Sequence, residues 1–416
     1  MKDFSPPSGA RGSVLVTDSH RSSAIAVIRS LGRAGFRVIA ADSMRESAGF
    51  RSCHAADRLV YPDPTKAPNG FVATLLATAR TTGVELILPL TDETIHPLSR
   101  ARALFEGVSR LGIASEAALE VVTDKQKTLE LARRLGVPVP RTLVVRTVEE
   151  ARHAASELSY PVVLKPAVSR VYLPDRQLIE KCSVSYARDR SELIERMRPH
   201  DGRHVVLLQE YCTGVGCGVE LLACEGRPLA LFQHRRLAEI PLSGGASAWR
   251  ESVPLDPVLK DHALRLVEAL RWTGLLMVEF KVGKSPTLME INGRVWGSIP
   301  LAIQSGVDFP RLWAEQLKGH GAASPIDLIS DYRIGVRRYN LELLLMWIVN
   351  VLFKRSRYPF LGKPPRSGAF AAILALLDPS QRSDNFSAAD PMPFLADLYR
   401  ILARAPARMF KSGRSA

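Results

Sequence analysis

The chain has 416 residues, 46% of them apolar and 24% charged, the balance of an ordinary globular protein too long for a single core. Its formal net charge is +14, and residues 322–416 hold 14 Lys and Arg against 7 Asp and Glu, an excess that calls for an acidic partner or surface. The aromatics do not interleave with the basic residues as a stacking platform requires, which argues against nucleic acid, and cysteines without a CxxC pair or histidines at ligand spacing (Cys212, Cys217, Cys224) argue against zinc.

Free thiols fit a reducing cytoplasm. Residues 1–12 have no apolar core segment and read as a disordered tail instead of a signal peptide. Strand and helix then alternate: SVLVT (13–17), a helix over 22–34 stopped by Gly35, FRVIAAD (36–42) and VELILPL (84–90), which delivers Thr91, Asp92 and Glu93. Strands separated by helices of this length predict a parallel sheet covered on both faces. The segment lacks GxGxxG, so no nucleotide is assigned to it.

Thr123-Asp124-Lys125-Gln126 carries a capping-box pattern and opens a helix that Gly136 and Pro138 end; Thr147-Val148-Glu149-Glu150 opens another. Two short apolar strands, PVVLKPA (161–167) and VVLLQEY (205–211), each end on polar residues. Residues 218–233 predict a hairpin turning at Glu225-Gly226, 256–270 a helix, and 275–282 and 286–292 a pair of strands. From 322 the pattern is helical, with an apolar run at 341–353 and a polar break near 378–391. No run reaches 18 apolar residues, so no membrane span is expected.

The chemistry concentrates in EFKVGKSPTLMEIN (279–292). Alternation puts Met277, Glu279 and Lys281 on one strand face and Leu288, Glu290 and Asn292 on one face of the next. A hairpin around Lys284-Ser285 sets Val282 opposite Thr287, Phe280 opposite Met289 and Glu279 opposite Glu290. Opposed carboxylates repel. A hard divalent cation would turn that repulsion into binding, with Asn292 as a third oxygen ligand. An open strand face with incidental glutamates is the alternative on these residues alone.

Lys165 ends an apolar strand between prolines, where a buried ammonium requires an anion. Lys125 sits in a first helical turn that already favours one. Gln209-Glu210-Tyr211-Cys212 ends a strand whose free backbone groups suit an adenine edge, with Glu220 placed to accept from ribose hydroxyls. Arg235, Arg236, Ser243-Gly244-Gly245 and Arg294 add guanidinium forks and a backbone anion cradle.

In this order the residues resemble the ATP-grasp superfamily, which includes carbamoyl-phosphate synthetase and biotin carboxylase, from Thr123 to Gly319. The resemblance implies an α/β (α+β) chain in three parts. These are a Rossmann-like pre-ATP-grasp domain (1–122), a two-lobed ATP-grasp domain (123–320) and a basic, mostly helical C-terminal region (321–416). It further implies Lys125 and Lys165 on the phosphates of ATP, Gln209, Glu210, Tyr211 and Cys212 at the adenine hinge, and Glu220 on the ribose. Glu279, Glu290 and Asn292 would hold Mg²⁺ or Mn²⁺, with Arg294 and Arg236 as catalytic arginines. The segment KPAVSRVYLPDRQ departs from the family in lacking a Gly-rich phosphate loop, and Ser169 and Arg170 are the substitutes on offer. QEYCTGVGCGVELL with HRRLAEIPLSGG is similar to a bacterial branch of ATP-grasp carboxylate–amine ligases.

The implied reaction activates a small carboxylate as an acyl phosphate that an amine then attacks. Two alternatives stand beside it: a nucleotide-binding regulatory protein without turnover, and an enzyme working at a membrane or on an acidic carrier or glycan polymer. The tail carries the latter. Its apolar run 341–353, followed by Lys354, Arg355 and Arg357, fits either a helix buried in the core or one meeting an anionic surface.

Overall fold

The protein, represented by a computed structural model, is described for residues 11–168, 170–173, 178–181, 183–319, 328–353 and 358–411. Its first five strands, β1 (Ser13–Val16), β2 (Arg37–Asp42), β3 (Asp57–Val60), β4 (Leu86–Leu88) and β5 (Arg110–Leu111), form a parallel sheet in the order β3-β2-β1-β4-β5. Alternation sends Leu15, Ile39 and Ile87 into one core and Val14, Val38 and Leu88 into another, so both faces are covered, as the β-branched runs predict. Gly35 ends the first helix, Ser22–Arg33, with a φ of 87° that glycine adopts without steric cost. Of the tail expected to be disordered, residues 1–10 lie outside the described residues; Arg11 is ordered and pairs with Glu315.

The expected strand 84–90 is shorter, because Thr91 opens the helix Asp92–Arg100 with a reciprocal capping box to Thr94. Similarly, Thr123 closes the helix Glu116–Thr123, and Asp124 alone caps Lys125–Arg134 by accepting from the Gln126 and Lys127 amides. The first expected capping box is therefore a single-residue cap. The second, Thr147 with Glu150, is a true box.

A four-stranded antiparallel sheet follows: β6 (Thr142–Val145), β7 (Val162–Pro166), β10 (Ser185–Ala187) and β11 (Val206–Glu210), ordered β10-β7-β11-β6. Helices Val148–Ala154 and Arg190–Met197 cover one face through Val145, Ala151, Leu164, Leu193 and Leu208. Strands β8 (Arg170–Leu173) and β9 (Leu178–Lys181) form a separate ribbon. Ser169 lies outside the described residues, so nothing is placed there for the missing glycine loop.

The largest sheet has seven strands in the order β16-β15-β12-β13-β14-β17-β18. They are β12 (Val215–Cys224), β13 (Arg227–Ile240), β14 (Ala246–Ser252), β15 (Gly274–Val282), β16 (Pro286–Asn292), β17 (Arg337–Tyr339) and β18 (Arg382–Ser383). The hairpin β12–β13 turns at Glu225 (φ 48°) and Gly226 (φ 83°), the two left-handed residues that such a turn requires. On one face Val219, Leu221, Val278 and Phe280 pack beneath the helix Pro257–Ala269. The other face divides. Leu222, Phe232, Leu275 and Met277 share a core with β1, β2 and β4, and the remainder lines a cleft. That shared core fixes the parallel sheet against the large one.

The β15–β16 hairpin corrects the expected register. Val282 pairs with Pro286 and Phe280 with Leu288, one step off, while Glu279 does face Glu290. A bulge at Met289 absorbs the difference. Leu288 is thereby turned into the core with Phe280 and Ile291, away from the face of Glu290 that it was expected to share. The tail is mostly helical, as expected, with two short strands added. Strand β17 precedes helices Leu341–Leu352 and Arg366–Leu377, β18 stands between the latter and helix Met392–Lys411, and both strands extend the large sheet. None of the described helices is long and apolar enough to cross a membrane.

Candidate active site

Between the two antiparallel sheets lies a cleft of about 870 Å³. Its floor is the end of the β15–β16 hairpin, where Glu279 and Glu290 sit opposite each other and Asn292 Nδ2 reaches both carboxylates, at 2.9 and 3.2 Å. Arg236, on β13, places Nη2 2.6 Å from Glu279 Oε2 and Nη1 3.0 Å from Glu239 Oε1. Glu239 also takes Lys281 at 2.8 Å. The strand between them, β12, carries Gly216 and Gly218 against Lys281 and Glu279. A Cβ on Gly218 would lie 2.5 Å from His234 Cε1, and one on Gly216 2.8 Å from Glu239 Oε1, so glycine leaves room for these longer side chains.

The roof comes from β7 and β11. Lys165 Nζ donates to Gln209 Oε1 at 2.7 Å, and Gln209 Nε2 donates to Thr142 Oγ1 at 3.1 Å. Burial lowers the Lys165 pKa, with Glu290 opposing the fall and Lys125 adding to it. Glu210, Tyr211 and Cys212 continue along the cleft wall. The amides of Glu210 and Tyr211 donate to the Arg141 and Pro161 carbonyls, and the Glu210 carboxylate accepts from the Ser159 amide.

Burial alone would raise the pKa of Glu290, but Lys125, Lys165 and Arg294 outweigh it and hold this carboxyl ionised. For Glu279 burial wins: it lies above the usual carboxylate range despite Arg236, and Glu290 pushes the same way. The hairpin thus presents one firmly ionised carboxylate and one poised to gain from added positive charge.

The expected site residues are not all in one place. Lys165, Gln209, Glu210, Tyr211, Cys212, Arg236, Glu279, Glu290, Asn292 and Arg294 line the main cleft, as does the Ser243–Gly245 turn. Lys125 lines a neighbouring cavity of about 340 Å³, which meets the cleft at Met289, Glu290 and Asn292. Arg235 turns to the opposite face of β13 and pairs with Glu251. Glu220 is the clearest correction. It is fully buried below the floor, with Oε1 accepting from Ser298 Oγ at 2.9 Å and lying 2.8 Å from His234 Nδ1, so it offers nothing to a ribose.

Sequence reasoning missed Glu239 and Lys281, which tie Arg236 into the floor, and Asp92, whose Oδ2 lies 3.2 Å from Arg294 Nε. Asp92 stands at the strand end already noted as polar, but its partner is 202 residues away and no local pattern announces it. The cleft is also walled by His20, Arg21 and Ser22, at the start of the first helix, and by Asn340, Glu342 and Arg400 from the tail.

A cleft between two antiparallel sheets, floored by a Glu–Glu–Asn hairpin and abutting a Rossmann-like sheet, defines an ATP-grasp architecture. A family profile described as "ATP-grasp in the biosynthetic pathway with Ter operon" matches residues 203–338. The carbamoyl phosphate synthase large chain of Thermus thermophilus is 26% identical over 404 residues, covering 92% of this chain and 35% of that one. Among the first such relatives the chain spans from 21% to 35% of their length. The biotin carboxylase domain of 2-oxoglutarate carboxylase from Hydrogenobacter thermophilus, solved with MgADP and bicarbonate, superposes with a TM-score of 0.62. Its identity is 18%, over 78% of this chain and 73% of that one. N5-carboxyaminoimidazole synthetase from Staphylococcus aureus gives 0.60 at 11% identity, over 79% and 81%. At these identities the structural likenesses concern the fold. The profile match and the sequence relatives are likewise similarities to ATP-grasp proteins.

Proposed function

We propose that this protein is an ATP-dependent, magnesium-requiring ligase that activates a small carboxylate as an acyl phosphate and joins it to an amine. The observation that carries the reading is the opposed Glu279–Glu290 pair with Asn292 beside both, ringed by Lys125, Lys165, Arg236 and Arg294.

The donor set fits a hard divalent ion: two carboxylates and an amide whose oxygen and nitrogen exchange by a simple rotation. When bound there, Mg²⁺ or Mn²⁺ supplies charge neutralisation for phosphate oxygens. The chain's own groups do the rest. Lys165 and Lys125, which both act on Glu290, would hold the phosphates. Because the Glu210 and Tyr211 amides are spent within the fold, the backbone at Cys212 is the edge left for adenine. Arg294, held by Asp92, meets charge that develops on the transferred phosphoryl group, and Arg236 orients Glu279. Catalysis here is positioning and electrostatics, with no covalent enzyme intermediate. Arg21, Asn340, Glu342 and Arg400, which also line the cleft, mix both signs of charge, which suits a small substrate bearing a carboxylate and an amine.

The test is phosphate release from ATP and Mg²⁺ across an array of carboxylic acids and amines, with Glu290→Gln as control. Release that needs one acid and one amine and vanishes in the variant is the expected result. Tight ATP binding with no release in any combination would instead make the chain a nucleotide-sensing regulator.

A further inference from the structure

The tail helices leave an apolar face uncovered. Helix Leu341–Leu352 buries Leu344, Trp347, Ile348 and Val351 against β13 and β14, and helix Arg366–Leu377 buries the small stripe Ala369, Ala372 and Ala375 beside it. Their other sides point outward. Phe353 is 79% exposed, Leu377 76%, Leu374 66% and Phe370 60%, with Leu345, Met346 and Val349 also exposed. Such a run of outward apolar side chains exceeds the scattered exposure ordinary on a surface. The 341–353 run is therefore buried on one side, as the core reading expects, and exposes apolar side chains on the other.

Charge selects the occupant. In the sequence, residues 354–365 between these helices contain Lys354, Arg355, Arg357 and Lys363 and no acidic residue, and Arg366 opens the second helix; of these, Lys363 and Arg366 lie among the described residues and are exposed. Across 341–377 the sole acid is Glu342, which is bound to Arg400 at 2.8 Å. A second copy laid on this face would meet the same one-sided charge. Each helix has 12 residues, about 18 Å long, so neither can cross a hydrocarbon layer of about 30 Å. Outward aromatic and aliphatic side chains on helices with exposed Lys363 and Arg366 and a basic flanking sequence are what an interfacial element presents to anionic headgroups. We infer that this helix pair docks the enzyme on an anionic lipid surface. The inference is independent of the catalytic reading, since none of these outward residues lines the cleft.

The test is co-sedimentation of the full chain at low ionic strength with vesicles of phosphatidylglycerol and phosphatidylcholine in equal parts, and of phosphatidylcholine alone. Pelleting with the first and not the second is expected. Phe370→Ser with Leu374→Ser, and separately Lys363→Glu with Arg366→Glu, should each cut the bound fraction at least about tenfold. Circular dichroism and ATP affinity should be unchanged in both, and the charge pair keeps the test decisive should the serine pair misfold. Wild type that stays in the supernatant overturns the inference, as does equal pelleting on neutral vesicles. Self-association lost in the serine variant, without vesicle binding by wild type, would assign the face to a second copy.

Discussion

Lys165 is held by one short bond to Gln209, in surroundings that lower its pKa from the ordinary 10.5. An anionic phosphate would restore it. Lys165→Ala should therefore weaken ATP binding by about 1.5–3 kcal/mol, the scale of a charge-assisted hydrogen bond, with the far-ultraviolet dichroism unchanged. The sign of the pH effect follows. With the free-enzyme pKa depressed, nucleotide affinity should begin to fall at a pH below 10.5 as the ammonium loses its proton, and Lys165→Arg should abolish that fall. Calorimetry across pH with an unchanged dissociation constant would remove Lys165 from the phosphate site. Arg294 makes a different prediction. Lysine keeps its charge but loses the fork that grips Asp92, so Arg294→Lys should lower kcat more than it raises the KM for ATP. A change confined to KM would make Arg294 a ground-state contact.

At the scale of elements, the hairpin β15–β16 shows what was legible and what was not. Counting by two places Glu279 and Glu290 on inward faces, and that pairing holds. The bulge was not legible, because it depends on Leu288 finding the core beside Phe280, a packing choice outside any local window. Deleting Met289 tests its role. Without the extra residue a regular ladder from the turn would follow Phe280–Leu288 directly with Glu279–Glu290, so the opposed carboxylates should survive the deletion. The variant should fold with the hairpin formed and keep ATP turnover; turnover lost in a folded variant would show that the bulge itself, beyond the pairing, helps build the site. The capping signals were legible for the same reason the bulge was not: Asp124 and Thr147 bond to amides two or three residues away.

At the scale of the whole molecule, the tail is built into the fold by buried charge. Arg250, fully buried on β14, pairs with Asp384, and Arg29 on the first helix pairs with Asp390 at 2.8 Å. These partners stand 134 and 361 residues apart, beyond the reach of sequence periodicity. Asp384→Ala leaves an uncompensated guanidinium in the core and should cost about 3–5 kcal/mol in urea unfolding. A loss under about 1 kcal/mol would show that water reaches Arg250. Burial would raise the Asp390 pKa, yet bonds from Arg29, Ser52 and Cys53 bring it below 3.8. Its stabilisation is therefore complete above the unfolded value near 3.8 and is lost as pH falls through the depressed folded value. Truncation after residue 320 removes both aspartates and β17, and should yield insoluble protein.

All of this converges on the opposed carboxylates. The most direct measurement is calorimetric binding of ATP to wild type and to Glu290→Gln, each with Mg²⁺ and with the metal chelated. The account predicts that wild type binds ATP markedly more tightly with Mg²⁺ and that the variant loses this difference while remaining folded. Metal-independent affinity in wild type, or an equal magnesium effect in both proteins, would contradict it.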